Sequence, residues 1–373
     1  MEGMGKTVDF SFYKGKKVLV TGNTGFKGSW MSVVLLMLGA EVYGYALKPE
    51  EDTCLYNILD LDSQYRTMYK DIRDLGSLSS YVKEVKPDIV VHMAAQPIVR
   101  ESYKSPVYTY ETNVMGTVNI LESLRYADTV KSFVNVTTDK VYQNNEWEWG
   151  YRENDRLDGY DPYSNSKSCS ELVTASYARS FYRDSGMAVS CCRAGNVIGG
   201  GDFAKDRIIP DCVRAAMENR EIIVRNRYSI RPYQFVLEPV AAYLQIAMMQ
   251  YIDKSLQGAY NIGPDEADCL TTGELVDMFC GCWGDGLSWK EEDNGVPHGM
   301  HEAGFLKLDI SKVKKTFEWK PCYNIRKAIE STASWSREYT RGADMQKYTF
   351  KQAGEYFYAL EGDTYEKLQF YGL

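Results

Sequence analysis

Tyr163 and Lys167 have the residue types and spacing that most directly suggest chemistry. They stand four positions apart in Tyr163-Ser164-Asn165-Ser166-Lys167, which puts both side chains on one face of a helix. An ammonium beside a phenol favours the phenolate, so a tyrosine placed this way can accept a proton nearer neutral pH. The same lysine can hydrogen-bond the ribose of a nucleotide. Taken alone, such a pair describes many solvated helix faces, and its meaning depends on what precedes it. Upstream lies Thr137-Thr138-Asp139-Lys140, at the end of a predicted strand. Thr138 can hold a hydroxyl that Tyr163 deprotonates, while Asp139 and Lys140 offer an acid and a base beside the same carbon skeleton. The alternative for Asp139 and Lys140 is a loop turn with a solvated ion pair.

The elements that must position these groups repeat along the first half of the chain. Strand-like runs are predicted at Lys17–Thr21, Glu41–Ala46, Arg66–Lys70, Asp88–Met93, Ser132–Thr137 and Met187–Arg193. Helical patterns fall between them, reaching Leu38, spanning Gly76–Val85 and spanning Pro106–Tyr126. Strands alternating with helices at this spacing imply α/β architecture with a doubly wound parallel sheet. The first strand runs into Thr21-Gly22-Asn23-Thr24-Gly25-Phe26-Lys27-Gly28. Gly22, Gly25 and Gly28 permit a tight turn, close approach of a pyrophosphate and tight helix–strand packing, and the helix start offers free N–H groups to phosphate. A glycine triplet is weak evidence by itself; directly after a strand and opening a helix, it points to a Rossmann-type site for NAD. No carboxylate stands at the end of the second strand to bind the ribose hydroxyls, where Leu47 and Lys48 are found instead. Lys48 suits a 2′-phosphate, but NAD is the preferred reading.

The regular alternation stops after Arg193, where Gly199-Gly200-Gly201 begins a mixed stretch of glycine, proline and aromatic residues. The expected division is therefore a NAD-binding domain of residues 1–194 and 233–264, with a smaller substrate-binding domain of residues 195–232 and 265–373.

Composition excludes several other classes. The 373 residues carry a net charge of −8 with no basic block, which argues against nucleic acid or an anionic membrane as partner. Nine cysteines lack zinc-ligand spacing, so no metal is expected, and their scatter suits reduced thiols in a cytoplasmic protein. No secretory signal is read at the N-terminus, and the apolar run Trp30–Leu38 is about half the length that a bilayer-spanning helix needs. Of the three histidines, His92 ends a buried strand and reads as structural, whereas His298 and His301 either touch a substrate phosphate or face solvent.

Together these residues resemble the extended short-chain dehydrogenase/reductase family, which acts on sugar nucleotides. The match runs from Phe12 to Gly342 and includes the glycine turn, Asp71-Ile72-Arg73-Asp74, His92 to Gln96, Asn113 to Thr117, the Tyr163/Lys167 pair and Arg193-Ala194-Gly195-Asn196. Within the family the chain is most similar to the 4,6-dehydratases of CDP-glucose, through Gly25 to Trp30, Trp149 to Asn154, Gly159 to Ser164, Gly199 to Arg207 and Tyr228 to Pro232. Epimerases of the family carry no acid–base pair after Thr138, and dTDP-glucose dehydratases carry aspartate then glutamate. Here Lys140 follows Asp139.

The resemblance implies cofactor contacts from Gly22, Thr24, Gly25, Phe26, Gly28, Asp71, Ile72, Ala94, Ala95, Asn113, Tyr163 and Lys167. It implies substrate contacts from Gln96, Asn196, Arg207 and Arg231, the last three on the diphosphate. It further implies transient oxidation at C4, loss of water across C5 and C6, and a homodimer formed by the helices near 106–126 and 163–183. A related sugar-nucleotide dehydratase or epimerase using dTDP, UDP or GDP is the second reading, and a binding protein that kept only the fold is the third. Asn23 and Phe235 each stand where the family carries histidine. The segment after Gly342 has no assigned role.

Overall fold

The centre of the fold is a set of short apolar strands, several of them buried on both faces. In a computed structural model, which describes residues 8–205, 207–292, 306–362 and 365–371, β1 (Lys17–Thr21), β2 (Glu41–Ala46), β3 (Arg66–Tyr69), β4 (Ile89–His92), β5 (Ser132–Thr138) and β6 (Ala188–Ala194) lie in the order β3-β2-β1-β4-β5-β6. The strand Ala259–Ile262 pairs beyond β6 to complete a seven-stranded sheet, and every pairing is parallel. Every residue of β4, β5 and β6 is buried, as a parallel sheet covered by helices on both faces requires. This is a Rossmann-type, doubly wound sheet. Its order reverses between β1 and β4, which opens a crevice at their carboxyl ends.

The structure differs from the sequence-based expectation in two elements. The seventh strand was not predicted; it follows the helix Leu237–Ile252, whose residues are buried almost all round and so lack the amphipathic period that marks a surface helix. The predicted helix 106–126 is divided into Pro106–Tyr110, a π-helical turn at Glu111–Met115, and Gly116–Leu124. The helix also passes very close to the strand edge, since a Cβ on Gly116 would lie 2.7 Å from Ile72 Cγ2. His298 and His301 lie outside the described residues. No helix among those described is long and apolar enough to cross a membrane.

Two cores flank the sheet. The smaller includes Leu19, Tyr45, Leu78, Val82, Val90, Ile120 and Phe133. The larger runs from Val18, Trp30 and Val34 through Phe235 and Tyr243 to Trp335, Tyr356 and Phe357. The tail beyond Gly342 thus belongs to the main core. Its helix Met345–Glu361 sets the Phe357 ring on Phe10 at 5.0 Å. Glu361 then accepts hydrogen bonds from the Phe10 N–H at 3.0 Å and the Tyr371 hydroxyl at 2.6 Å, joining both ends of the chain.

Glu238 ties the same region together. Its carboxyl is fully buried and accepts from the backbone N–H groups of Cys322, at 3.0 and 3.1 Å, and Tyr323, at 2.6 Å. Burial outweighs these hydrogen bonds and pushes its pKa from 4.5 up to about 7. A carboxyl raised in this way stabilises the fold fully below its unfolded pKa, and that contribution is lost as pH rises through the folded one. We therefore expect thermal melts to show Glu238→Gln gaining on the parent protein between pH 4.5 and about 7, by up to about 3 kcal/mol. A constant difference across that range would show that Glu238 does not titrate there.

Candidate active site

The glycine turn is tight because backbone occupies the space side chains would need. Gly22 has φ +74°, and a Cβ there would meet Ala94 N at 2.7 Å. A Cβ on Gly28 would lie 2.2 Å from the Gly22 carbonyl oxygen. The helix Phe26–Met37 therefore starts directly over the turn, with its first N–H groups facing the crevice. This backbone cradle, with Ala94 after β4 against Gly22, fits a pyrophosphate. The Thr24 hydroxyl donates to the Leu47 carbonyl at 3.1 Å and fixes the turn against the end of β2. Asn23 does not face the crevice. It is buried, and its Nδ2 donates to the Tyr65 hydroxyl and to Thr67 Oγ1, each at 3.0 Å.

Several residues expected at ligands are engaged with protein. Asn113 lies on the π turn, accepts from Gln96 N at 2.8 Å and donates to Gln96 O at 3.1 Å and Ser166 Oγ at 2.8 Å. The Gln96 side chain donates to Thr109 at 2.9 Å and accepts from Ile98 N at 2.5 Å. Both side chains hold the loop after β4 in place. Asp71 is bound by Arg73, and Ile72 packs into the smaller core. His92 is structural: its Nδ1 shares a hydrogen bond with Thr21 Oγ1 at 2.7 Å, and its Nε2 pairs with Thr117 at 3.2 Å. Burial, with the charge of Lys167, pushes its pKa down to about 3.

The reactive groups meet at the carboxyl end of β5. Asp161 caps the helix Pro162–Ser180, accepting from Ser164 N at 3.0 Å, and the first turns of that helix carry Tyr163 and Lys167. Tyr163 lies close enough to Thr138 and Asp139 for both to act on its phenol, and Thr138 donates to Asp139 Oδ1 at 2.9 Å. Lys167 donates to the Val136 carbonyl at 3.1 Å. Asp139 is buried beside Gly195, where an added Cβ would lie 3.0 Å from its Oδ2, so Asn196, which follows Gly195, is carried to the same edge. Arg207, held by Asp202 at 3.0 Å, and Arg231 both lie close enough for their charges to act on the site, on Tyr163 and on Asp139 respectively.

Burial sets the electrostatics. It raises the Asp139 pKa, against the opposing charges of Lys140, Arg231 and Lys27 and the hydrogen bond from Thr138. It also pushes Tyr163 up to about 12, with Asp139 adding to the rise and Arg207 opposing it. The expected lowering of the phenol by Lys167 is therefore not what the protein alone provides. Lys167 is itself pushed down to about 8, by burial and by Lys27, against the pull of Glu171.

Lys27 is the residue that motif reading passed over. It stands in the glycine turn, and burial and Arg207 push its pKa down to about 8 while Asp139 pulls it up. The available signal was a charged residue inside a phosphate-type turn. Among the described residues, no group of three or more His, Cys, Asp or Glu could hold a metal.

A dinucleotide crevice with a Thr–Tyr–Lys set at its edge defines a short-chain dehydrogenase/reductase. The chain belongs to the GDP-mannose 4,6-dehydratase family, whose model matches residues 19–332. It is 44% identical to the CDP-glucose 4,6-dehydratase of Salmonella typhimurium, over 94% of this chain and 99% of that protein. It is 24% identical to the CDP-paratose 2-epimerase of Salmonella typhi, over 86% and 99% of the two chains. Among solved structures it shares its fold with the dTDP-glucose 4,6-dehydratase of Bacillus anthracis in complex with NAD, at TM-score 0.72 and 21% identity over 88% of this chain and 99% of that one. The UDP-glucose 4-epimerase of Stenotrophomonas maltophila with bound NAD aligns at TM-score 0.76 and 22% identity, over 88% and 100%.

Gly28→Ala must push the helix away from the turn, so calorimetry should show NAD binding weakened at least about tenfold. Gly186→Ala, where an added Cβ meets nothing within 4 Å, should leave binding unchanged. Equal affinities would mean that the cradle does not hold the pyrophosphate.

Proposed function

We propose that this protein is an NAD-dependent dehydratase that converts CDP-glucose to CDP-4-dehydro-6-deoxyglucose. The observation that carries this reading is the buried Asp139 carboxyl, bonded to Thr138 and followed by Lys140, beside the Tyr163 hydroxyl. The 44% identity to the Salmonella CDP-glucose enzyme along nearly the whole chain supports CDP-glucose as substrate.

Thr138 holds the C4 hydroxyl of the sugar, and Tyr163 removes its proton. Bound NAD supplies the acceptor for the C4 hydrogen and the donor that later reduces C6. The resulting ketone acidifies the C5–H. Lys140, as the free amine, takes that proton, and Asp139 protonates the departing C6 hydroxyl as water. A proton returned to C5 completes the 6-deoxy sugar. Lys167 holds the nicotinamide ribose, while Asn196, Arg207 and Arg231 hold the diphosphate, for which the planar guanidinium fork is suited. Residues 1–194 and 233–264 form the cofactor half on this reading, and residues 195–232 and 265–373 the substrate half.

Two further assignments go with it. The nine cysteines are free, in keeping with a reducing cytoplasm. The groove lined by Pro106, Val107, Tyr110, Val114, Met115 and Cys169 is apolar, and Val107 and Leu172 beside it are 69% and 56% exposed. A second copy of the chain covers this face in a homodimer.

Mass spectrometry of CDP-glucose incubated with the protein and NAD should show loss of one water; unchanged mass would overturn the dehydratase reading. Tyr163→Phe should lower kcat by about 10²- to 10⁴-fold with NAD affinity retained. Light scattering should find the parent protein as a dimer and Val107→Asp/Leu172→Glu as a monomer. If the double variant remained dimeric, another face would form the interface.

A further inference from the structure

We infer that the buried pair Glu171–Arg193 is a positioning device that aligns the two halves of the catalytic machinery through two separate arms. The inference rests on the reaction assigned above.

Both members of the pair are 3% exposed. Glu171 sits one helical turn after Lys167, and Arg193 lies on β6 directly beside Thr137 of β5 in the strand register. Arg193 Nε reaches both Glu171 oxygens at 2.9 Å, and its Nη2 reaches Oε2 at 2.5 Å. The Glu171 arm also accepts from Thr137 Oγ1 at 2.5 Å, which fixes the helix bearing Tyr163 and Lys167 against the strand that ends in Thr138.

The other arm leaves from Arg193 Nη1. It donates to the Tyr142 hydroxyl at 2.6 Å and to the Glu153 carbonyl at 3.1 Å, with the guanidinium 4.9 Å over the Tyr142 ring. Tyr142 follows the short turn Asp139–Val141 and donates onward to Asn261 at 2.6 Å. One arm therefore sets the groups that oxidise C4, and the other sets the acid and base that eliminate water. A buried ion pair adds little net stability over apolar packing, so its directional bonds are better explained by registration of these two segments.

The test removes each arm separately. Glu171→Gln weakens the helix arm, with Thr137→Val as the milder variant should Glu171→Gln fold poorly. Tyr142→Phe cuts the turn arm and keeps the ring stacked on Tyr151. Turnover is measured with CDP-glucose carrying deuterium at C4 or at C5, alongside melting temperature and NAD affinity by calorimetry. Each variant should lose about tenfold in kcat with KM and NAD affinity within about twofold, since small misplacements of reacting groups act on the chemical step. Deuterium at C4 should slow the helix-arm variants and deuterium at C5 should slow Tyr142→Phe. Equal sensitivity to both labels in all variants, or a loss that only follows melting temperature, would overturn the inference. A parent protein that releases no water would overturn the reaction assignment, and this inference with it.

Discussion

The constraint on which the site depends is the cost of removing a carboxyl from water at the end of a parallel strand. Asp139 is 2% exposed, and it lies where β5 leaves the sheet. An isolated charge there would be prohibitive, so either the group keeps its proton or cations gather round it. Both tendencies act on Asp139. Burial raises the Asp139 pKa, and Lys140, Arg231 and Lys27 oppose the rise from three different segments of the chain. Those three cations also suit the ligands, because a sugar nucleotide and a dinucleotide both bring diphosphate charge.

Burial acts in the same direction on the neighbouring groups. Tyr163 is raised and Lys167 lowered, each towards its neutral form. The protein by itself thus keeps the Tyr163 phenol protonated rather than preparing a phenolate beside Lys167. The phenolate expected from the spacing of Tyr163 and Lys167 needs a positive charge closer to the phenol than Lys167, which is turned towards the Val136 carbonyl. Bound ligands, which displace the remaining water and add their own charges, complete that adjustment.

What could be read from the sequence was whatever local spacing determines. The first strands and the glycine turn follow from period and composition, and Thr138, Asp139, Tyr163 and Lys167 follow from their places after a strand and on a helix. Tertiary partners are not local, and there the sequence is silent. Asn113 and Gln96 read as ligand contacts in a motif, and the folded chain also bonds them to each other's segments. Asn23 and Phe235 appear as substitutions within a binding site, and both turn into the protein interior, Phe235 stacking on Tyr323 at 5.5 Å. The tail after Gly342 has no motif because its function is to cover the large core. Arg193 was legible only as part of a family motif and Glu171 only as a charge in a neutral run, and nothing local pairs them.

On the proposed reading Asp139 is the acid and Lys140 the base of the elimination step, and the two neighbours stand in different surroundings. Asp139 is buried, and burial raises its pKa, which brings the carboxyl nearer to the range in which it can give a proton to a departing hydroxyl. Lys140, the next residue, is partly exposed, and its charge opposes that rise. Gly195, having no side chain, leaves room for the Asp139 carboxyl beside its backbone, and Tyr142, held by Arg193, fixes the turn after β5 that carries the same carboxyl.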